Sequence, residues 1–561
     1  MAHQTTLPPH WRVRELSLDQ PLQQRILRAR GLVTQEDQQL FLKGDFYDHF
    51  YDGRDLPDML IAITRLAAAL EHGERVAIFG DYDADGIPAT ALLLRGLGAV
   101  GFTNLLYVIP TRSEGYGLQN DKIDALVADG CTVMITVDTG ITAHEQVAYA
   151  NSKGIDVIIT DHHEVVHDIP QALAVIDPKR PDSTYTTRSL CGTAVAYKLL
   201  WSLYEELGVS HTYLKWQLDL VALATLADMV PLVGENRALA KTGLDVLHKT
   251  RNKGLRALLQ VSGIDHTRVS ARDVMFAIAP RINALSRLGE DTYEGRHPLV
   301  QLLVTDDDAE ALTLAVTIND VNTRRQSLVA TATTDALAQL DTDMQGGSVI
   351  YLPNAPSGIT GLIAGRLADI TGWPALVMAP EGDEIRGSGR SPTTLSMLTV
   401  LEPLAPLVTR YGGHAQAAGW SMAIDQLAAF SGQAREVLAQ QSAAHPKGGE
   451  VVIDAVLQPH EATLDTAHAL RALEPFGMGN EEPLLLWQDT VVQVTPMGQQ
   501  KNHWRITTAS HIDAVYFNVP SDCVPPQPGS ALQAAVHFGI NTYATPRPQL
   551  VVKHLHVSEK E

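Results

Sequence analysis

Five short apolar runs, Val76–Gly80, Leu105–Pro110, Thr132–Val137, Asp156–Thr160 and Ala174–Asp177, alternate with helical patterns at Ala89–Val100, Gln119–Ala128 and Ala143–Asn151. A strand that is apolar at nearly every position is buried on both faces. Run–helix–run alternation at this spacing points to a parallel α/β sheet covered by helices on each side. In such open sheets ligands bind at the carboxyl ends of the strands. Three of the runs end in candidate cation ligands: Asp81-Tyr-Asp83-Ala-Asp85-Gly86, Asp138-Thr-Gly140 and Asp161-His162-His163-Glu164. Ala227-Asp228-Met-Val-Pro231 adds an isolated carboxylate in an apolar context. One Asp after a strand is commonly a turn or cap residue, and Asp161 and Glu164 can equally start a helix. Three strand ends carrying acids or histidines are harder to assign to capping. Like charges this dense are costly unless cations neutralise them. Oxygen and imidazole donors without thiolate suit Mn²⁺ or Mg²⁺.

The 561 residues suggest about four domains. Residues 1–55 read as an irregular polar and helical lead-in, and 56–235 as the parallel-sheet domain. A helical connector over 236–345 ends in Asp306–Leu340, which has no Pro or Gly and suits one long helix. Val349–Leu352 and Pro374–Met378 restart the α/β pattern in a smaller domain over 346–445. Ser442–Glu450 reads as a linker. Short strands with turn signals from Leu484 to Val557 then predict a small β-barrel within 450–558.

The net charge of −21 at first argues against a nucleic-acid partner. The charge is uneven, however. Arg237–Leu288 holds ten basic and three acidic residues, a local +7. This stretch is either a solvated helical surface or one wall of a groove for a phosphate backbone. A steep salt dependence is expected only for that groove. Three cysteines with no CxxC pair exclude a disulfide framework or a Cys-built zinc site and fit a reducing cytosol. No secretory pattern and no membrane-length apolar run is visible, so a cytoplasmic location away from the membrane is expected.

Asp161-His162-His163, read with Asp81-Tyr-Asp83-Ala-Asp85-Gly86, Val137-Asp138-Thr-Gly-Ile141 and Leu226-Ala-Asp228, resembles the DHH phosphoesterase superfamily. Gly412-Gly-His414-Ala-Gln-Ala-Ala-Gly419 resembles the GGHxxAAG motif of its associated second domain. Arg112–Gly117, Leu190-Cys-Gly-Thr193, Pro280-Arg-Ile-Asn283, Gly387–Ser391 and Leu473–Asn480 narrow the resemblance to the RecJ family, over roughly residues 50–557.

That resemblance implies a single-stranded-DNA-specific 5′→3′ exonuclease of DNA repair and recombination, releasing 5′-mononucleotides. It implies two divalent cations, Mn²⁺ or Mg²⁺. One is held by Asp83 and Asp138, the other by Asp85, Asp138, His162 and Asp228, with Asp81 and His163 beside them. Two such ions about 3.5–4 Å apart serve in-line phosphoryl displacement without a side-chain nucleophile. By motif match, Arg112, Arg281, Ser388 and Arg390 form a 5′-phosphate pocket, with Arg287 the alternative to Arg281. His414 is expected to contact the scissile phosphate.

Departures from the family pattern are Phe79, where many relatives have His, together with Thr139, Ser286 and Asn354-Ala-Pro-Ser-Gly358. The barrel resembles an OB-fold, in which Trp487, Trp504, Tyr516, Phe517, Phe538 and Tyr543 are either core or base-stacking residues. The family further implies a monomer that works on single-stranded DNA with a single-strand-binding protein and a helicase. The rivals are a phosphodiesterase for short oligonucleotides or cyclic dinucleotides, and a catalytically silent replication scaffold.

Overall fold

The computed structural model describes residues 7–112, 114–115, 117–166, 168–292, 296–340, 346–392, 394–443, 450–499, 501–520, 523–543 and 545–558. Ser113 and Tyr116 of the Arg112–Gly117 motif, and 444–449 of the expected linker, lie outside the described residues. The chain forms two compact units, His49–Gly449 and the combination of Met1–Asp48 with Glu450–Glu561.

The segment expected to be irregular at the N-terminus contains strand β1 (Trp11–Glu15). The catalytic sheet follows, with β2 (Val76–Gly80), β3 (Leu105–Val108), β4 (Val133–Val137), β5 (Asp156–Thr160) and β6 (Ala174–Ile176). All pairings are parallel, in the order β3-β2-β4-β5-β6. β2 and β4 are buried at every position, which is why they read as unbroken apolar runs. Ala77, Phe79, Met134, Val157 and Ile159 pack on one side with Ile123 and Val147 of the covering helices. Phe79 is therefore a core residue of this layer.

Helices dominate from Gly192 to Leu337. The longest spans Asp308–Leu337, and its Asp307 cap accepts from the N–H groups of Ala309 and Glu310. A Pro- and Gly-free run with a capped start can propagate for many turns, as the sequence indicated.

The smaller domain holds β7 (Ser348–Tyr351), β8 (Ala375–Glu381), β9 (Glu384–Arg390), β10 (Arg410–Gly413) and β11 (Ala417–Ala423). Their order is β10-β11-β9-β8-β7, with only β7–β8 parallel.

In the other unit β1 pairs in parallel with β12 (Val451–Leu457), which pairs in parallel with β13 (Leu485–Met497). β13, β14 (His503–Thr508), β15 (Asp513–Tyr516), β16 (Ala531–Asn541) and β17 (Arg547–Ser558) close a five-stranded barrel through the β13–β16 pairing. Fully buried Arg25 holds the N-terminal segment to β12 and the turn after it, donating to the Val456 carbonyl at 2.7 Å and to the Glu461 carboxylate at 2.6 Å. Among the described residues no helix is long and apolar enough to cross a membrane.

Candidate active site

β2, β4 and β5 are adjacent, so the residues just past their carboxyl ends meet at one edge. Asp81, Asp83 and Asp85 follow β2, Asp138 follows β4, and Asp161-His162-His163 follow β5. Asp228 arrives on the end of helix Leu218–Ala227. Asp138 adopts a left-handed φ of 59°, a conformation Asp tolerates better than most residues, and this turns the chain sharply at the strand end.

Three groups of ligand atoms lie within 4.8 Å of one another: Asp81, Asp83 and Asp138; Asp85, His162 and Asp228; and Asp138, His162 and His163. His162 links them. Its Nε2 stands 3.0 Å from Asp138 Oδ1 and 3.8 Å from Asp85 Oδ2, and its Nδ1 3.8 Å from Asp228 Oδ2. Asp81, Asp83, Asp85, Asp138, His162, His163 and Asp228 are thus brought together, whereas exposed Glu164 pairs with Lys179 at 3.2 Å, outside these groups.

The electrostatics are those of a cluster short of positive charge. Burial, then the neighbouring Asp83, pushes the Asp81 carboxyl well up. Burial followed by repulsion from Asp85, Asp83, Asp81 and Asp228 does the same to Asp138. Asp228 rises to about 8 through burial and the charges of Asp85 and Asp83. His162 is held below the usual imidazole value by burial, which favours the neutral form that can ligate a metal. Oδ1 of buried Asp81 has no hydrogen-bond partner among the described residues. An orphaned carboxylate oxygen facing crowded acids fits a divalent cation.

Asp161 has a different position from its neighbours in the DHH triplet. It is fully buried and accepts from His162 N at 2.7 Å, Ile141 N at 2.9 Å and His163 Nδ1 at 2.7 Å. Burial pushes its carboxyl up, but the His163 bond and the histidine charges outweigh that, and it lies below the usual range. His163 rises to about 9: the Asp161 bond and charge overcome its desolvation. Asp161 is therefore the buttress that orients the two histidines.

A second cluster is basic. Arg112 lies with its guanidinium carbon 5.7 Å from the centroid of the Tyr82 ring, beside the aspartate loop. Arg287 is half-buried, and its guanidinium falls to about 10 through desolvation and repulsion from Arg112, Arg325 and Arg390. It donates to the Gly358 carbonyl at 3.1 Å. Arg281 is engaged elsewhere, with Asn319 Oδ1 at 3.1 Å and the Ala277 carbonyl at 2.8 Å.

Ser388 and Arg390 lie on β9 beneath the start of helix Thr360–Thr371. A Cβ on Gly361 would stand 2.9 Å from Arg390 Nη2 and 3.5 Å from Ser388 Oγ, so the missing side chain leaves space at this helix N-terminus. Thr360 Oγ1 bonds Ser388 Oγ at 3.1 Å. Arginines, hydroxyls and a helix N-terminus around one space form an anion-binding arrangement. His414 sits exposed in the tight β10–β11 turn, outside these clusters.

The sequence reading gave no role to Thr360, Gly361, Arg325 or Asn283. Asn283 Oδ1 accepts from Ala84 N at 3.0 Å and pins the aspartate loop. Asn283 stands within a quoted motif, which was the available signal. The other three carry no local pattern.

Residues 75–225 match the DHH family, N-terminal domain, residues 346–440 the DHHA1 domain and residues 453–554 the RecJ OB domain. The single-stranded-DNA-specific exonuclease RecJ of Escherichia coli (strain K12) is 32% identical over 563 residues, 95% of this chain and 96% of that protein. Its namesake in Bacillus subtilis (strain 168) is 32% identical over 551 residues, 96% of this chain and 68% of that protein. Among solved structures, RecJ from Thermus thermophilus in complex with Mn²⁺ is similar with a TM-score of 0.80 at 29% identity, covering 98% of this chain and 80% of that one. The Mg²⁺ complex gives 0.77 at 28%. With three matched domains in one order and similarity along almost its whole length, the chain belongs to the RecJ family.

Proposed function

We propose that this chain is a divalent-metal-dependent exonuclease that removes 5′-mononucleotides from the 5′ end of single-stranded DNA, in repair and recombination. The observation that carries this reading is an acidic cluster from three adjacent strand ends beside a cluster of mutually repelling arginines in the same unit. Relatives along the whole chain are named single-stranded-DNA-specific exonucleases, and solved relatives hold Mn²⁺ or Mg²⁺.

Asp83 and Asp138, with Asp81 beside them, would hold one cation; Asp85, Asp138, His162 and Asp228 would hold the second. Such ions supply Lewis acidity toward phosphoryl oxygens and activate water. The chain's own groups orient the substrate. Arg112, Arg287, Arg390 and Ser388 take the terminal phosphate through directed donors. His163, fixed by Asp161, offers a ring N–H to a phosphate oxygen. A strand whose 5′-phosphate fills the arginine pocket then presents an adjacent phosphodiester to the carboxylates, so polarity follows from the separation of the two clusters. In this reading the chain acts as a monomer in the cytoplasm, on strands supplied by a helicase and shared with a single-strand-binding protein.

The test is digestion of single strands labelled at either end, with blunt duplex as control, in Mn²⁺ or Mg²⁺. A 5′ label should appear first as a mononucleotide while duplex persists. Shortening from the 3′ end, or equal attack on duplex, would refute the reading.

A further inference from the structure

No residue of the motif Leu190-Cys-Gly-Thr193 belongs to the acidic cluster or to the basic one. The motif opens the helix Gly192–Glu206, whose N-cap Cys191 supplies no side-chain bond to the first N–H groups. Those groups find their acceptor on a distant loop. Gly192 N donates to Asp85 Oδ2 at 2.6 Å, and Thr193 N to Asp85 Oδ1 at 2.7 Å. Thr193 Oγ1 donates to the Asp85 backbone carbonyl at 2.8 Å. Both carboxylate oxygens of Asp85 are thus gripped by the start of a 15-residue helix. Charge-assisted bonds at a helix N-terminus, where the dipole favours an anion, fix the carboxylate's orientation.

The same turn touches the second acid. A Cβ on Gly192 would stand 2.7 Å from Asp138 Cβ and 2.9 Å from both Asp138 Cα and Oδ1. No side chain fits there without moving Asp138. Asp85, Asp138, Gly192 and Thr193 are all buried, so solvent does not take over these contacts.

We infer that Gly192 and Thr193 are positioning residues that set metal affinity, by clamping Asp85 and leaving room for Asp138. This rests on the proposed metal centre. Hydrogen-bond partners of metal ligands are worth roughly 10–100-fold in metal affinity when removed.

The experiment is Mn²⁺ binding to the full chain, with no substrate, by calorimetry and by electron paramagnetic resonance of free Mn²⁺. T193V keeps the volume of the side chain and loses only the hydroxyl; T193A is measured beside it in case one variant folds poorly. With circular dichroism and Tm near wild type, either should weaken one of two Mn²⁺ sites roughly 10-fold, and T193S should return to within about twofold. G192A should weaken both sites, because it displaces the shared Asp138. Wild-type isotherms in folded T193V or T193A would overturn the positioning role, as would a T193S defect equal to that of T193V. A wild-type chain that takes up no Mn²⁺ would overturn the metal centre itself.

Discussion

Arg281 and Arg287 lie on one helix, Ala279–Leu288, and are separated by six residues. At about 100° per residue they project about 120° apart, so one short helix sends them to different neighbours. Arg287 joins Arg112 and Arg390, and Arg281 turns to Asn319. R287A should therefore weaken binding of a 5′-phosphorylated strand by about 10–100-fold, the size of a lost hydrogen bond to a charged group. R281A should change it by no more than about threefold in the same fluorescence titration. The reverse order would restore the simpler motif assignment.

A second residue-scale test concerns stability. His297 is buried, neither ring nitrogen has a partner among the described residues, and burial lowers it to about 4. The unfolded chain, with its imidazole near 6.5, binds the extra proton between these values. Stability is then complete above about pH 6.5 and falls toward pH 4, by on the order of 2–3 kcal/mol. H297L should lose that much less than wild type between pH 7 and 4.5 in denaturant titrations. Equal losses would contradict the assignment.

At the scale of elements, the parallel sheet was legible because its central strands are buried on both faces and nothing interrupts the apolar signal. The acids after β2, β4 and β5 were legible for the same reason, since strand ends are located once strands are. β1 was not. Trp11-Arg-Val-Arg-Glu15 is short and half polar, and its partner Val451 lies more than four hundred residues away, beyond any local pattern. The barrel's aromatics were visible as a set but not individually. The fold buries Trp487, Trp504, Tyr516 and Phe538, and leaves Phe517 50% and Tyr543 98% exposed. Only the last two are free to stack on bases. F517A or Y543A should cost about 1–3 kcal/mol of single-strand affinity with Tm unchanged. W504A should lower Tm instead, as a large core truncation does. Binding losses confined to W504A would show that this face does not meet the strand.

For the whole molecule, a net charge of −21 is compatible with a nucleic-acid substrate because charge is segregated. Five carboxylates, Asp81, Asp83, Asp85, Asp138 and Asp228, converge on one edge, while half-buried arginines gather beside it. Residue patterns showed the acids and a basic stretch; that Arg112 and Arg390, from separate segments, would share one pocket came only from motif match, in which Arg287 stood as the alternative to Arg281. That meeting depends on helix phase and on the packing of two domains. The most direct measurement is a crystal soaked in Mn²⁺, with anomalous scattering used to place the ions. Two peaks are predicted, one bounded by Asp81, Asp83 and Asp138, the other by Asp85, Asp138, His162 and Asp228. No peak at this edge, or Mn²⁺ bound only elsewhere, would contradict the metal centre on which the proposed function stands.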